Sequence, residues 1–186
     1  MHKLSSLDEI EALYADRGRL SYGEGVTQLE HALQCATLAE ETNAAPSLIV
    51  AALLHDVGHL VTPEGEMDID DRHEITGAQA LKPLFDESVR APIALHVSAK
   101  RWLCFKEKDY FGRLSEASKA TLRLQGGAFN LRQASAFEQH PHWRAAVELR
   151  RFDEAGKVAG AKVRSFAHFE PMMRELMAAR RAPTYG

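Results

Sequence analysis

Residues 46–60, PSLIVAALLHDVGHL, constrain the fold of this chain more than any other stretch. After Ser47, and apart from His55, Asp56 and His59, the run is apolar on every side. A helix made from it has no face to give to water and must lie inside other elements. Pro46 suits the first turn of such a helix, and the helix stops before Pro63. Burying an adjacent imidazole and carboxylate without partners costs several kcal/mol, so the polar groups of this run need charge, hydrogen bonds or metal to hold them. His55 and His59 are four apart and share a helix face, while Asp56, turned about 100° from His55, still addresses the same centre.

The rest of the chain supplies helices to surround this one. Val26, Leu29, Leu33, Ala36 and Leu38 form a stripe of helical period over 24–42. Further helices are expected over 73–85, 88–99, 115–123, 141–153 and 169–179, with a weaker one over 6–17. TPEGEMDIDD reads as a polar loop, and strand-like alternation is confined to a possible short hairpin near GKVAGAKVRSF. With 186 residues and no repeat or Pro/Gly/Ser-rich linker, the expectation is one all-α domain over 1–186, a helical bundle with long loops. A net charge of -3 with interspersed signs leaves no basic face for a nucleic-acid partner. The acidic start is unlike a signal peptide, and no apolar run reaches the roughly 18 residues of a membrane span. No membrane partner is expected, and a cytoplasmic location is. Cys35 and Cys104 have no paired spacing and read as core thiols of a reducing compartment.

Other potential metal ligands fall on separate helices: His31 upstream, His73 and His96 between, and Asp153 near the end. Imidazole and carboxylate suit iron, manganese or zinc, and bundle cores build such sites from facing helices. Six residues in the order H…HD…H…H…D are too many for one ion that must also hold substrate. If Asp56 bridges, the set divides into two ions with open positions, a geometry that can activate bound oxygen or water. His2, His140, His142 and His168 lie in polar or terminal surroundings and are assigned no role.

The stretches GEGVTQLEHALQCATLAE, AALLHDVGHL, the histidine of DRHEITGA, LHVSAKRWLC, LSEASKATLRLQGG and ELRRFDEAGK together span most of residues 22–157. They resemble the HD-domain proteins, and among them the PhnZ-like oxygenases that cleave the carbon–phosphorus bond of 1-hydroxy-2-aminoethylphosphonates. The resemblance implies an HD-domain bundle with two iron ions, mixed-valent Fe(II)/Fe(III), and O2 as co-substrate. It assigns His31, His55 and Asp153 to one iron and His73 and His96 to the other, with Asp56 as the bridge. It makes His59 a substrate-contacting or supporting group. Lys100, one turn after His96, and Arg150, three before Asp153, then become cations for the phosphonate of a small-molecule substrate. Ser118 and Gln125 are further hydrogen-bonding candidates. Glu24, seven before His31, has the spacing of the family's ammonium contact. The family's tyrosine three residues before that glutamate is replaced by Ser21, and tyrosine falls at Tyr22. Tyr22, Trp102 and Phe105 could instead surround a quaternary ammonium, favouring a trimethylammonio substrate. The products implied are inorganic phosphate and glycine or glycine betaine.

Two rival readings use the same ligands. One is a dimetal HD phosphohydrolase acting on a nucleotide or phosphodiester through metal-activated water. The other is a noncatalytic helical sensor of a phosphonate or a metal. The substrate-side motifs favour the oxygenase.

Overall fold

The computed structural model describes residues 3–23, 25–62 and 72–181. In chain order they form α1 (Leu7–Arg17), strands β1 (Ser21–Gly23) and β2 (Val26–Thr27), then α2 (Gln28–Glu41), α3 (Pro46–Leu54), α4 (Val57–Val61) and α5 (His73–Ala80). There follow α6 (Glu87–Lys106), α7 (Tyr110–Arg113), α8 (Glu116–Leu124), α9 (Leu131–Glu138), α10 (Trp143–Ala155) and α11 (Phe166–Arg181). The expected all-α bundle with at most a short hairpin is the observed fold class. Among the described residues no helix is long and apolar enough to cross a membrane. Cys35 and Cys104 are free thiols.

α3 is the axis of the bundle. Every residue from Leu48 to Leu54 is buried, and α2, α6, α10 and α11 pack around it. The helix does not run on through the two histidines as expected. It stops at Leu54, His55 and Asp56 form a turn, and α4 starts at Val57. Side chains take up the carbonyls at the break. Nδ1 of His55 donates to the Ala52 carbonyl at 2.9 Å, and the buried hydroxyl of Tyr14, on α1, donates to the Leu53 carbonyl at 2.9 Å.

Three other expectations are corrected. α2 starts at Gln28, because Val26 and Thr27 form β2, which pairs antiparallel with β1 so that Ser21 lies opposite Thr27. A reciprocal cap starts the helix: the Thr27 hydroxyl accepts from Glu30 N, and the Glu30 carboxylate accepts from Thr27 N at 2.7 Å. The GKVAGAKVRSF segment is not a hairpin, since side chains of α2 occupy its backbone groups. Gln34 bonds both the N–H and the carbonyl of Val158, and Thr37 accepts from Arg164 N. Short α7 and α9, which bury only Tyr110, and Ala134 with Phe137, respectively, were not expected. Of the expected loop TPEGEMDIDD, residues 63–71 lie outside the described residues.

The buried apolar side chains form two clusters. The larger surrounds α3, and the smaller joins Ala99, Leu103, Tyr110, Leu114, Leu122, Phe137, Ala146 and Val147. α6 and α10 belong to both: Ile93 and Leu149 pack in the first, Ala99 and Ala146 in the second. His96, Arg150 and Asp153 lie on these two helices and are buried. Tyr14→Phe should leave the Leu53 carbonyl buried without its donor and lower stability by about 1–3 kcal/mol, read as a shifted denaturation midpoint at unchanged slope.

Candidate metal centre

Six side chains from five places in the chain meet beside the α3–α4 break. His31 comes from α2, His55 and Asp56 from the break itself, His73 from the first position of α5, His96 from α6 and Asp153 from α10. Nε2 of His31 and Nε2 of His55 are 3.2 Å apart, and Asp153 Oδ1 lies 3.5 Å from the first and 3.9 Å from the second. Nε2 of His73 and Nε2 of His96 are 3.1 Å apart. Asp56 stands between the two groups. Its Oδ2 is 3.3 Å from His55 Nε2 and 3.7 Å from His31 Nε2; its Oδ1 is 3.4 Å from His73 Nε2 and 3.8 Å from His96 Nε2.

The hydrogen bonds of the rings favour metal. Carbonyl oxygens only accept, so a ring nitrogen bonded to one must carry its proton. Nδ1 of His31 donates to Gly156 O at 2.8 Å, that of His55 to Ala52 O, and that of His96 to Ile93 O at 2.8 Å. In the neutral rings, Nε2 then presents a lone pair to the middle of the cluster. Two Nε2 atoms 3.2 Å apart need a positive charge between them, either a proton or a metal ion. The carboxylates add negative charge with the same need. Burial opposes ionisation of Asp56, but His55 and His73 outweigh it and hold the carboxyl well below its usual range. Burial likewise opposes ionisation of Asp153, where Arg150 prevails. His55 is pushed up to about 9, because the two carboxylates overcome its burial. His96 is brought down to about 3 by burial and by repulsion from His73 and His55. The donor set therefore fits two metal ions sharing one carboxylate. Cys35 also reaches the cluster, its Sγ 3.7 Å from His31 Nε2, but burial pushes its pKa up and keeps it a thiol.

A cavity of about 300 Å³ opens onto Asp56, His73, His96 and Asp153. His59, Lys100, Ser118, Gln125, Arg150 and Tyr22, all named from the sequence, line it too. His31 and His55 lie behind, fully buried. His59 stacks on His73 with ring centroids 4.1 Å apart. Tyr22, despite its shifted position, stacks on His31 at 3.9 Å and points its hydroxyl at Asp153 Oδ1, 3.4 Å away. Burial, then Asp153, push its pKa up, so the phenol stays protonated. Glu24 lies outside the described residues.

Trp102 and Phe105 do not join Tyr22. Trp102 packs on Phe137 and Trp143 in the smaller core and donates to Glu138, and Phe105 lies at the surface. The expected aromatic cage is therefore not assembled by these three residues. Trp102 stands two residues after Lys100 on α6, and its ring packs away from the cavity, in the smaller core.

Arg150 is buried and has much of its donor capacity committed. Nε donates to Tyr110 Oη at 3.1 Å, Nη1 to Asp153, and Nη2 to Ser118 Oγ and Glu154. It ties the metal side of the cavity to α8. Two residues on the opposite wall were missed from the sequence. Lys157 donates to Ser118 Oγ at 3.2 Å, and Thr121 accepts from Lys100 Nζ at 2.9 Å. Thr121 was legible as the position between Ser118 and Gln125 on one face of α8. Lys157 follows Asp153 by four residues, a spacing that loses its meaning where α10 ends at Ala155.

Residues 29–125 match the HD domain. The chain belongs to the HD-domain family. The matched span holds every candidate ligand except Asp153. Beyond the domain, the chain is 47% identical over 156 residues to a hydroxymethylphosphonate dioxygenase of Gimesia maris, covering 81% of this chain and 78% of that protein. It is 39% identical over 173 residues to the glycine-betaine-forming [1-hydroxy-2-(trimethylamino)ethyl]phosphonate dioxygenase of Leisingera caerulea, covering 90% and 88%. An uncharacterized protein, L432, of Acanthamoeba polyphaga mimivirus is 32% identical over 181 residues, covering 94% and 83%. Two of these three relatives are named as phosphonate dioxygenases.

Arg150→Met should remove the cation between Asp153 and Glu154 and lower the stability of the metal-free HD domain by about 3–5 kcal/mol. Metal loading should recover part of that loss, because an ion can replace Arg150 as the countercharge of Asp153; paired denaturation curves with and without metal check both statements.

Proposed function

We propose that this HD-domain protein is a non-heme diiron oxygenase that uses O2 to cleave the carbon–phosphorus bond of a small 1-hydroxyalkylphosphonate. His31, His55 and Asp153 would hold one iron, His73 and His96 the other, and Asp56 would bridge them in a mixed-valent Fe(II)/Fe(III) pair. The observation that carries this reading is the placement of Asp56, whose two oxygens face separate imidazole pairs at the floor of a cavity walled by cations. The named activities of the two phosphonate dioxygenase relatives support the substrate class. Free Cys35 and Cys104 accord with the proposed cytoplasmic location.

Iron and dioxygen supply the bond-breaking chemistry when bound, and the protein supplies position and charge. Lys100 and Lys157 offer ammonium groups to phosphonate oxygens from two sides of the cavity, and Ser118 and Gln125 offer hydrogen bonds. Lys157 Nζ and Arg150 Nη2 both point at the Ser118 hydroxyl, and both also pair with Glu154 Oε2, so a phosphonate there would share these donors with a carboxylate already in place. Arg150 itself keeps the Asp153 carboxylate aimed at His31. His59 and Lys100, beside His73 and His96, are the proposed contacts to the substrate next to the metals. Inserting both atoms of O2 turns the phosphonate carbon into a carboxylate and frees phosphate, and all four electrons come from the substrate. Hydroxymethylphosphonate would give formate, the 2-amino substrate glycine, and the trimethylammonio substrate glycine betaine.

Among the described residues Tyr22 is the one aromatic carbocycle on the cavity wall. A quaternary ammonium therefore finds little of the cage it needs, which favours hydroxymethylphosphonate, with the 2-amino compound next. Glu24 is the proposed contact for an ammonium.

Iron-loaded protein given each of the three phosphonates in air should release phosphate and the matching acid in equal amounts, fastest from hydroxymethylphosphonate. Under anaerobic conditions release should stop; phosphate that keeps appearing without O2 would reject the oxygenase and favour the hydrolase. His73→Ala should abolish the oxygen-dependent reaction, and unchanged turnover there would reject the assignment of the second iron. Burial and the nearby Arg150 bring the Lys100 ammonium down to about 8. A lysine so shifted is charged below that pH and neutral above it, so kcat/KM should fall as pH rises through about 8. In Lys100→Arg that alkaline limb should disappear even if the rate is lower.

A further inference from the structure

Gly58 lies inside the HDVGH run, on α4, and the structure gives it a task separate from those of its histidine neighbours. A Cβ built on Gly58 would stand 2.0 Å from the carbonyl oxygen of His73 and 2.7 and 2.8 Å from the carbonyl carbon and Cα of that residue. All three are backbone atoms, so no side-chain rotation relieves the clash. Gly77, one turn further along α5, faces the same crossing: a Cβ there would be 3.0 Å from Gly58 N and 3.2 Å from Val57 Cγ1. Two helices thus cross with backbone against backbone at the residue that carries His73.

From this geometry we infer that Gly58 is a positioning residue for the metal position formed by His73 and His96, acting through the backbone of His73, and that the other position does not depend on it. Real Cβ contacts do not fall below 3.0 Å, so the backbone of His73 and that of Gly58 must part by about 1 Å to admit any side chain at position 58. Ligand distances in a metal site tolerate only about 0.2 Å. His73 Nε2, 3.4 Å from Asp56 Oδ1 and 3.1 Å from His96 Nε2, moves with the backbone that is pushed. His31 and Asp153 belong to α2 and α10, which take no part in the crossing, and His55 lies ahead of it in the α3–α4 break. The inference rests on the two-ion reading of the site but not on the substrate.

The test is metal binding, measured apart from turnover. Apo-protein is titrated anaerobically with Fe(II), the ions bound per chain are counted, and folding is followed by circular dichroism and thermal unfolding. Wild type is expected to bind two ions, and Gly58→Ala one, matching His73→Ala. Gly77→Ala, with its milder contacts, is expected to keep both ions but to hold the second about tenfold to hundredfold more weakly, the range found when supporting contacts of a ligand are disturbed. Two ions bound to Gly58→Ala with wild-type affinities would overturn the inference, and so would parallel weakening of both ions in Gly77→Ala. If Gly58→Ala does not fold, Gly77→Ala decides by the same criterion. A wild-type protein that binds fewer than two ions would sink the two-ion reading together with this inference. Two ions without phosphonate turnover would remove only the proposed reaction.

Discussion

The structure depends on a buried carboxylate shared between two pairs of imidazoles. Asp56 is almost wholly removed from water, and so are His31, His55, His96 and Asp153. In the absence of a cation their inward-facing lone pairs and negative charges oppose one another, a cost that folding must carry. The protein keeps the arrangement by fixing the outer side of each ring. Backbone carbonyls of Ala52, Ile93 and Gly156 hold Nδ1 of His55, His96 and His31, which sets both the tautomer and the direction of Nε2. The α3–α4 break serves the same end. By stopping α3 at Leu54 it frees the Ala52 carbonyl for His55 and turns Asp56 toward both imidazole pairs.

Around this centre the bundle is divided so that the metal side and the substrate side are held by different forces. The larger apolar cluster grips α3 and the ligand-bearing parts of α2 and α6. The cavity's far wall, α8, is anchored mainly by polar contacts. Of its residues only Ser118 and Leu122 are buried. It is tied to the bundle through Lys100 with Thr121, Arg150 and Lys157 with Ser118, and Glu154 with Ser115 N. The groups that tie this wall down are also the ones proposed to meet the phosphonate, so an anion entering the cavity competes for the same donors. Arg150 links the two sides, with one edge of its guanidinium on Asp153 and the other on α8.

Much of this was legible in the sequence. The all-apolar run with His55 and Asp56 inside it required a central helix and partners for its polar groups, and the six candidate ligands were readable by residue type. They converge, as expected of side chains too costly to bury singly. Lys100, Ser118, Gln125, Arg150 and Tyr22 reach the cavity as well. Less legible were features that depend on which backbone groups meet across the fold. The helix break at His55 follows from a hydroxyl on α1, and the lack of a hairpin at 156–166 from Gln34 and Thr37 on α2.

What the sequence by itself determined was the inventory: a central buried helix, four imidazoles and two carboxylates too polar to be left without partners there, and a fold class that follows from the period of apolar residues. Tertiary structure alone decided the pairing. Which oxygen of Asp56 faces which histidines, that Trp102 turns away from the cavity, and that Lys157 turns into it all depend on contacts between residues tens of positions apart. Hydrophobic periodicity reports which side of an element is buried; it carries no information about which other element lies against that side, and the geometry of a shared site is set by that choice.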